Sequence, residues 1–225
     1  NVGNRPQRIQ IIGLGVLGVF AVRRFADRLR SWIDRRFFRD AYNADLILSD
    51  LADKVRTIVE TEPLLETVGR RIAESLHVKR VALLLPQGTG AFEPAYALGY
   101  PERPWVTIQE NSATTDQLRR EREAQIYRDD EASWIYRPDI SEDERIALHR
   151  LDSQLLLPLS LNQKLLGILS LGPKQSEAPF SSADLRLLES VAMQTGLALE
   201  NSRLAAAVAS EVAQRERLNR EIEIA

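Results

Sequence analysis

Apolar side chains recur along this chain in two rhythms, a helical one near both ends and an alternating one between them. From Ala41 they fall at Ala41, Ala44, Leu48, Leu51, Val55 and Ile58, with gaps alternating between three and four residues. That is a heptad seam, the narrow stripe along which two helices pair. A helix laid on its own domain by the same face is the competing reading. Glu60-Thr61-Glu62-Pro63 interrupts the run. Pro63 suits the first turn of a second helix over residues 64–76, where its missing N–H would be unpaired anyway. Near the other end, Ser181-x-x-Asp184 has the spacing of a capping box with Asp in place of Glu. Leu185, Leu188, Val191, Ala192 and Leu199 then form a broad apolar face, which narrows beyond Asn201 to Leu204, Val208, Leu218 and Ile222. Only Gly196, at a cost of about 1 kcal/mol, disfavours one helix from Asp184 to the end. Residues 211–223 are dominated by charge and read as a solvated connector paired with a twin.

Between the helical stretches the pattern is that of strands. Residues 81–85, Val-Ala-Leu-Leu-Leu, form a short apolar run closed by Pro86 and predict a central strand. Phe92, Tyr96 and Leu98 alternate around Pro94, which confines that strand to an edge or a bulge. Residues 105–108 and 134–136 are weaker strand candidates. The clearest pair is 154–161 and 164–171, joined at Asn162-Gln163; Asn tolerates positive φ, so a two-residue hairpin fits. Residues 110–150 are polar, with a helical period over 117–127, and read as an insertion laid over the sheet.

The first forty residues carry a different signal. Residues 9–22 are almost wholly apolar, and residues 23–39 hold seven arginines against Asp27 and Asp34. An apolar run ending in an arginine cluster is how the cytoplasmic end of a membrane helix reads. Fourteen residues rise about 21 Å against a hydrocarbon core of roughly 30 Å, so the span is thinned or truncated; a buried or interfacial segment is the alternative. Within the same stretch, Gly13-Leu14-Gly15-Val16-Leu17-Gly18 fits a dinucleotide-binding G-x-G-x-x-G, with Asp34 about twenty residues on. That motif works only inside a strand–turn–helix–strand unit, and residues 30–39 are too charged for its second strand. The chain starts at Asn1 and stops within a helical run, and so reads as a piece of a longer protein.

Composition narrows the chemistry. At 44% apolar and 28% charged residues the chain is an ordinary folded one. A mean hydropathy of −0.25 excludes a polytopic membrane protein, and a net charge of −2 offers no chain-wide attraction to nucleic acid. The absence of cysteine removes thiolate catalysis and iron–sulfur ligation, and with only His77 and His149 a histidine-rich metal site is also out. His149, Asp152 and Ser153 have triad composition, but near-neighbours along a chain rarely converge. His77 reads as a helix-end residue. Gln87-Gly88-Thr89-Gly90 is a turn with no lysine at P-loop spacing. The acids Asp129, Asp130, Glu131, Glu142, Asp143 and Glu144 are interleaved with arginines and read as a solvated surface. No catalytic or metal-ligating set emerges, and no cofactor is specified. Trp105, Trp134, Tyr96 and Tyr136 are candidates to line an apolar pocket, with Leu157 on the sheet beside them.

Pro158-Leu159, the turn Asn162-Gln163, Gly167-Ile168-Leu169-Ser170-Leu171, Phe180, Asp184, Leu188, Ala192, Ala198 and Asn201 together resemble the end of a GAF domain. This is a small-molecule-sensing and dimerisation module. With the helix over 64–76 and the strand at 81–85, the resemblance covers residues 61–203. It implies an α+β fold: an antiparallel sheet of about six strands with helices on both faces, flanked by long N- and C-terminal helices. It also implies that the first and last helices bundle on one face and that a pocket lies on the other, roofed by residues 110–150. Phe180-x-x-x-Asp184 is similar to part of a motif of the cyclic-nucleotide-binding members, but Leu185 stands where that motif has an acid. The simpler reading docks Phe180 on the core and gives Asp184 to the helix start. The missing cysteine departs from the bilin-binding members.

The flanks extend the resemblance. Ile33-Asp34-Arg35-Arg36-Phe37-Phe38-Arg39 before a heptad helix looks like the membrane-to-sensor connector of bacterial signalling proteins. Residues 216–225 are similar to the linker before a SpoIIE-type serine/threonine phosphatase domain of the PPM family; a histidine kinase or cyclase output is the alternative. The expected order is the end of a transmembrane segment (1–22), an Arg-rich juxtamembrane and signalling helix (23–60), the GAF-like sensor (61–203) and a helical connector (204–225). The expected function is a non-catalytic sensory segment at the cell membrane, its sensor on the cytoplasmic side. It would dimerise through Ala44, Leu48, Leu51, Val55, Ile58, Leu204 and Val208, with a small-molecule ligand and no nucleic acid. The alternatives are a nucleotide-binding enzyme using residues 13–18 and a structural dimerisation module without a ligand.

Overall fold

The computed structural model describes residues 48–224 apart from 49, 56, 59, 89, 122 and 127–132, with side chains as far as residue 215. Helix α1 (Thr61–Leu76) leads into strands β1 (Val81–Gln87), β2 (Ala91–Leu98) and β3 (Ile108–Gln109). Next come α2 (Ala113–Arg120), β4 (Ala124–Gln125), a 3₁₀ turn (Trp134–Tyr136), α3 (Glu142–Arg150), β5 (Leu155–Leu161), β6 (Lys164–Leu171) and α4 (Ser182–Ile224). The six strands form one sheet in the order β3-β2-β1-β6-β5-β4, and every described pair is antiparallel. This is the α+β architecture expected.

The β5–β6 hairpin shows how local sequence sets register. Asn162 and Gln163 take φ of 49° and 66°, the pair of left-handed conformations that a type I′ turn needs. Leu161 therefore faces Lys164, and the ladder runs back to Leu155 opposite Leu171. The register slips once, between Leu159 and Ser160. A second slip, between Leu83 and Leu84, places Tyr96 opposite Leu83 but Pro94 opposite Leu84. Ala95 is thus an extra residue in β2, and the strand changes face there.

Both faces of the sheet are buried. Leu83, Leu155, Leu157, Leu159, Leu169 and Leu171 have no exposed surface, and they alternate with a second apolar cluster on the opposite face. α1 and α4 pack on the first face and on each other, with the hydroxyls of Thr61 and Ser202 2.8 Å apart. The second cluster joins Leu84, Phe92, Ile108, Leu156 and Ile168 from the strands to Leu118, Ile135, Ala147, Leu148 and Leu151 from the roof.

Several local expectations are corrected. β1 does not close at Pro86 but continues to Gln87, Pro86 standing opposite Phe92. Of residues 105–108 only Ile108 enters a strand, and residues 134–136 form a 3₁₀ turn rather than a strand. The helical period read over 117–127 stops at Arg120, after which the chain contributes edge strand β4. Residues 110–150 are therefore roof and sheet edge together, not an overlay alone.

Gly196 proves to be a packing residue. A Cβ there would stand 2.9 Å from the carbonyl oxygen and 3.0 Å from the amide nitrogen of Ser160, so α4 lies directly on the β5 backbone. In an exposed helix, Gly→Ala stabilises by about 1 kcal/mol. Here Gly196→Ala is expected to destabilise by about 1–3 kcal/mol, because the rigid sheet cannot move aside. Chemical denaturation of the two proteins checks the sign.

Candidate functional site

The second apolar cluster packs the roof against the sheet. A cleft of about 1200 Å³ opens at the margin of the sheet, beside β3. Its walls are residues 103–107 of the β2–β3 loop, the start of α2 at Ser112 and Ala113, and α3 from Ser141 to Arg150. Arg103 donates to the carbonyl of Pro94, and Arg150 Nη1 donates to the carbonyl of Trp105 at 3.2 Å. Trp105 itself is 89% exposed.

One carboxylate organises the roof. Glu144 is buried; its Oε1 accepts from the Thr114 N–H at 2.9 Å and the Thr114 hydroxyl at 2.8 Å. Its Oε2 accepts from the Ser141 N–H at 3.0 Å and the Ser141 hydroxyl at 2.9 Å. Thr114 lies in the first turn of α2 and Ser141 is the N-cap of α3. A single side chain thus closes the capping box of its own helix and satisfies an otherwise unpaired N–H of another. Burial alone would raise its pKa, but the bonds from Thr114 and Ser141 outweigh it and hold the carboxyl below the usual glutamate range.

A family model described as "GAF domain" matches residues 60–199. The chain belongs to the GAF family. Its fold is shared with the GAF domain of a phosphoenolpyruvate-protein phosphotransferase from Coxiella burnetii, at 18% identity and a TM-score of 0.57, covering 74% of this chain and 98% of that one. A methyl-accepting chemotaxis protein segment is similar at 13% identity and a TM-score of 0.55, covering 69% of this chain and 98% of that one. Free methionine-R-sulfoxide reductase from Neisseria meningitidis is similar at 15% identity and a TM-score of 0.55, covering 73% and 93%. No curated protein sequence matches the chain.

Within this GAF domain the five predicted ligand residues are scattered. Trp105 lines the cleft. Tyr136 lies in a neighbouring depression of about 480 Å³ with Ile146, His149 and Arg150. Trp134 packs against the second core and donates its Nε1–H to the carbonyl of Gln125 at 2.9 Å. Tyr96 and Leu157 point to the opposite face: the Tyr96 ring lies against Gly69 of α1, and Leu157 is fully buried opposite Leu169. The extra residue in β2 is what turned Tyr96 away. Arg103, Arg150 and Glu144, by contrast, carried no signal in the sequence as site residues; neighbouring acids and arginines in a polar stretch look alike until the fold sorts them.

The remaining candidates also find places. Ser181 and Asp184 form the reciprocal cap, with Ser181 N–H to Asp184 at 2.7 Å and Asp184 N–H to Ser181 Oγ at 3.2 Å. Asp184 accepts from Lys174 at 2.5 Å as well, and Phe180 is buried beneath that lysine, 5.2 Å away. Ser153 is buried against Ser170 at 2.6 Å and Asp152 pairs with Arg80 at 3.3 Å, while His149 is exposed, so the triad composition does not converge. His77 ends α1 in a left-handed conformation with its side chain exposed. Among the described residues no three His, Asp or Glu side chains gather as a metal site. Of the dimer candidates, Leu48, Leu51 and Val55 are buried within the single chain, Ile58 is half-buried, and Leu204 and Val208 are exposed. Ala44 and the Gly13–Gly18 motif lie outside the described residues.

Glu144→Ala removes the acceptor for four donors and is expected to cost about 2–4 kcal/mol; Glu144→Gln, which keeps one acceptor oxygen, costs roughly half that. A depressed folded pKa contributes stability that is full above the unfolded value and is lost as pH falls through the folded one. The stability gap between the native protein and Glu144→Gln should therefore hold at neutral pH and shrink in acid, below the ordinary glutamate range. Urea denaturation across that range checks it.

Proposed function

We propose that this GAF segment is the sensory and dimerisation part of a membrane-associated signalling protein and catalyses nothing itself. Its α4 passes the state of the domain to a C-terminal effector, a SpoIIE-type serine/threonine phosphatase. The construction of α4 carries this reading. Leu188, Val191, Ala192, Thr195 and Ala198 are buried on the sheet, and the same helix continues without a break to Ile224. Every side chain from residue 203 to 215 is exposed. The stretch from Leu199 to Ile224 rises about 38 Å, so a small tilt at the sheet becomes a large displacement at the far end.

Met193, Leu197, Leu204, Val208 and Val212 are all exposed, and at helical spacing they fall within an arc of roughly 100°. A stripe of that width suits a second copy of the same helix, which supports a homodimer paired along α4. The apolar run 9–22 with its arginine cluster supports attachment at the membrane, the GAF domain on the cytoplasmic side. Among the described residues no helix is long and apolar enough to cross a membrane, and residues 9–22 lie outside them. The input is a small molecule read at the marginal cleft. The apolar cluster packed under the roof favours a second reading, a dimerisation module with no ligand.

Sedimentation of the full chain distinguishes pairing from its absence. The native protein is expected to form dimers, and Leu204→Glu with Val208→Glu to give monomers. Because both side chains are exposed, the thermal midpoint should hold to within about 0.5 kcal/mol of stability. A native chain that stays monomeric at high concentration would overturn the relay through paired helices.

A further inference from the structure

We propose that the marginal cleft binds a small aromatic carboxylate, its acid group on the guanidinium groups of Arg103 and Arg150 and its ring on Trp105. This rests on the reading of that cleft as the sensory pocket. Each arginine is braced by one hydrogen bond to a backbone carbonyl, that of Pro94 or of Trp105. Neither has a carboxylate partner among the described residues. A guanidinium has five donors, so both keep most of their fork for an incoming acid. That planar fork matches a carboxylate in a way a lysine ammonium does not.

None of the acids in the same walls is ion-paired with either fork among the described residues. Glu144 keeps its charge, but both of its oxygens are taken by the four donors of Thr114 and Ser141. Asp139 is paired with Arg137 at 3.3 Å. Glu93 stands opposite Leu85 in the ladder and also lines the cleft. Asp143 remains, in the first turn of α3, where the helix dipole favours it. With these acids in its walls the cleft carries no net positive charge; what it offers a carboxylate is the two guanidinium forks that no acid holds. The ring follows from Trp105, the most exposed large apolar side chain among the described residues. An indole in water at the edge of a cleft offers a flat face that a second ring covers.

Titration calorimetry on the full chain with phenylacetate, benzoate and indoleacetate tests this, with phenylacetamide, acetate and phenyl phosphate as comparisons. At least one of the three aromatic acids is expected to bind saturably. Phenylacetamide, which lacks the charge, and acetate, which lacks the ring, should bind at least about tenfold more weakly than that acid. Arg150→Gln and Trp105→Ala should each weaken it by about tenfold or more. Both side chains are exposed, so an unchanged thermal midpoint would show that the fold is intact. Failure of all three acids, equal binding of phenylacetamide, tighter binding of phenyl phosphate, or indifference to both substitutions would overturn the proposal. If the acids fail while another metabolite raises the thermal midpoint of the native chain but not of Arg150→Gln, the cleft remains a sensory pocket and only the ligand class falls. If no metabolite does so, the pocket reading falls too.

Discussion

A sheet this small, with apolar side chains on both faces, has to be covered twice, and the rest of the architecture follows from that constraint. Fully burying a Leu, Ile or Phe is worth about 1.5–3 kcal/mol, and neither face can be left wet without losing several of these. The first cover is α1 with α4, regular and close: Gly196 lets α4 rest on the β5 backbone, and Gly69 leaves room for the Tyr96 ring. The second is assembled from short pieces, an eight-residue helix, a 3₁₀ turn and a nine-residue helix. Helices that short are unstable alone. They hold because their apolar sides join one cluster and because Glu144 ties α2 to α3 through charge-assisted hydrogen bonds.

The two covers differ in how far they could be read from the sequence. The α4 cap, the β5–β6 hairpin and the apolar face of the last helix are local patterns: Ser181 with Asp184, Asn162-Gln163, and Leu188 to Leu199 at helical spacing. Each survives in the fold because no tertiary contact opposes it. The number of strands came from resemblance to GAF domains and their order only from the structure, since short apolar runs do not say which neighbour they pair with. The roof was barely legible. Its helices and 3₁₀ turn depend on contacts at long range, as between Thr114 and Glu144, and their polar composition has no single period. Tyr96 is the instructive error. Alternation places it beside Phe92, and one extra residue at Ala95 moves it to the other face.

The same asymmetry separates what the two faces can do. A regular helix pair with a long extension is suited to carry displacement, and α4 extends well past its last contact with the sheet. An irregular roof anchored by a few polar bonds is suited to admit a ligand at its margin. Its walls are loop and helix start rather than packed core, and loops carry most binding residues for that reason. With the roof packed against the sheet, binding at the margin needs only to shift α3 or the loop that Arg150 holds by the Trp105 carbonyl.

Any such shift must cross the sheet to reach α4, and β5, on which α4 chiefly rests, is packed on both sides. Leu156 belongs to the cluster under the roof, while Leu155, Leu157 and Leu159 alternate with it on the helical face, and Ser160 lies against Gly196. Leu156 and Ser160 are four residues apart, about 13 Å along a strand, and both are held by the β6 ladder. A close-packed core transmits displacement instead of absorbing it. Coupling between sites in proteins is typically 1–3 kcal/mol, which requires only that the two covers fit the sheet slightly differently in two states. Gly196 is where that difference would be felt most directly, because no side chain lies between helix and strand backbone to absorb it.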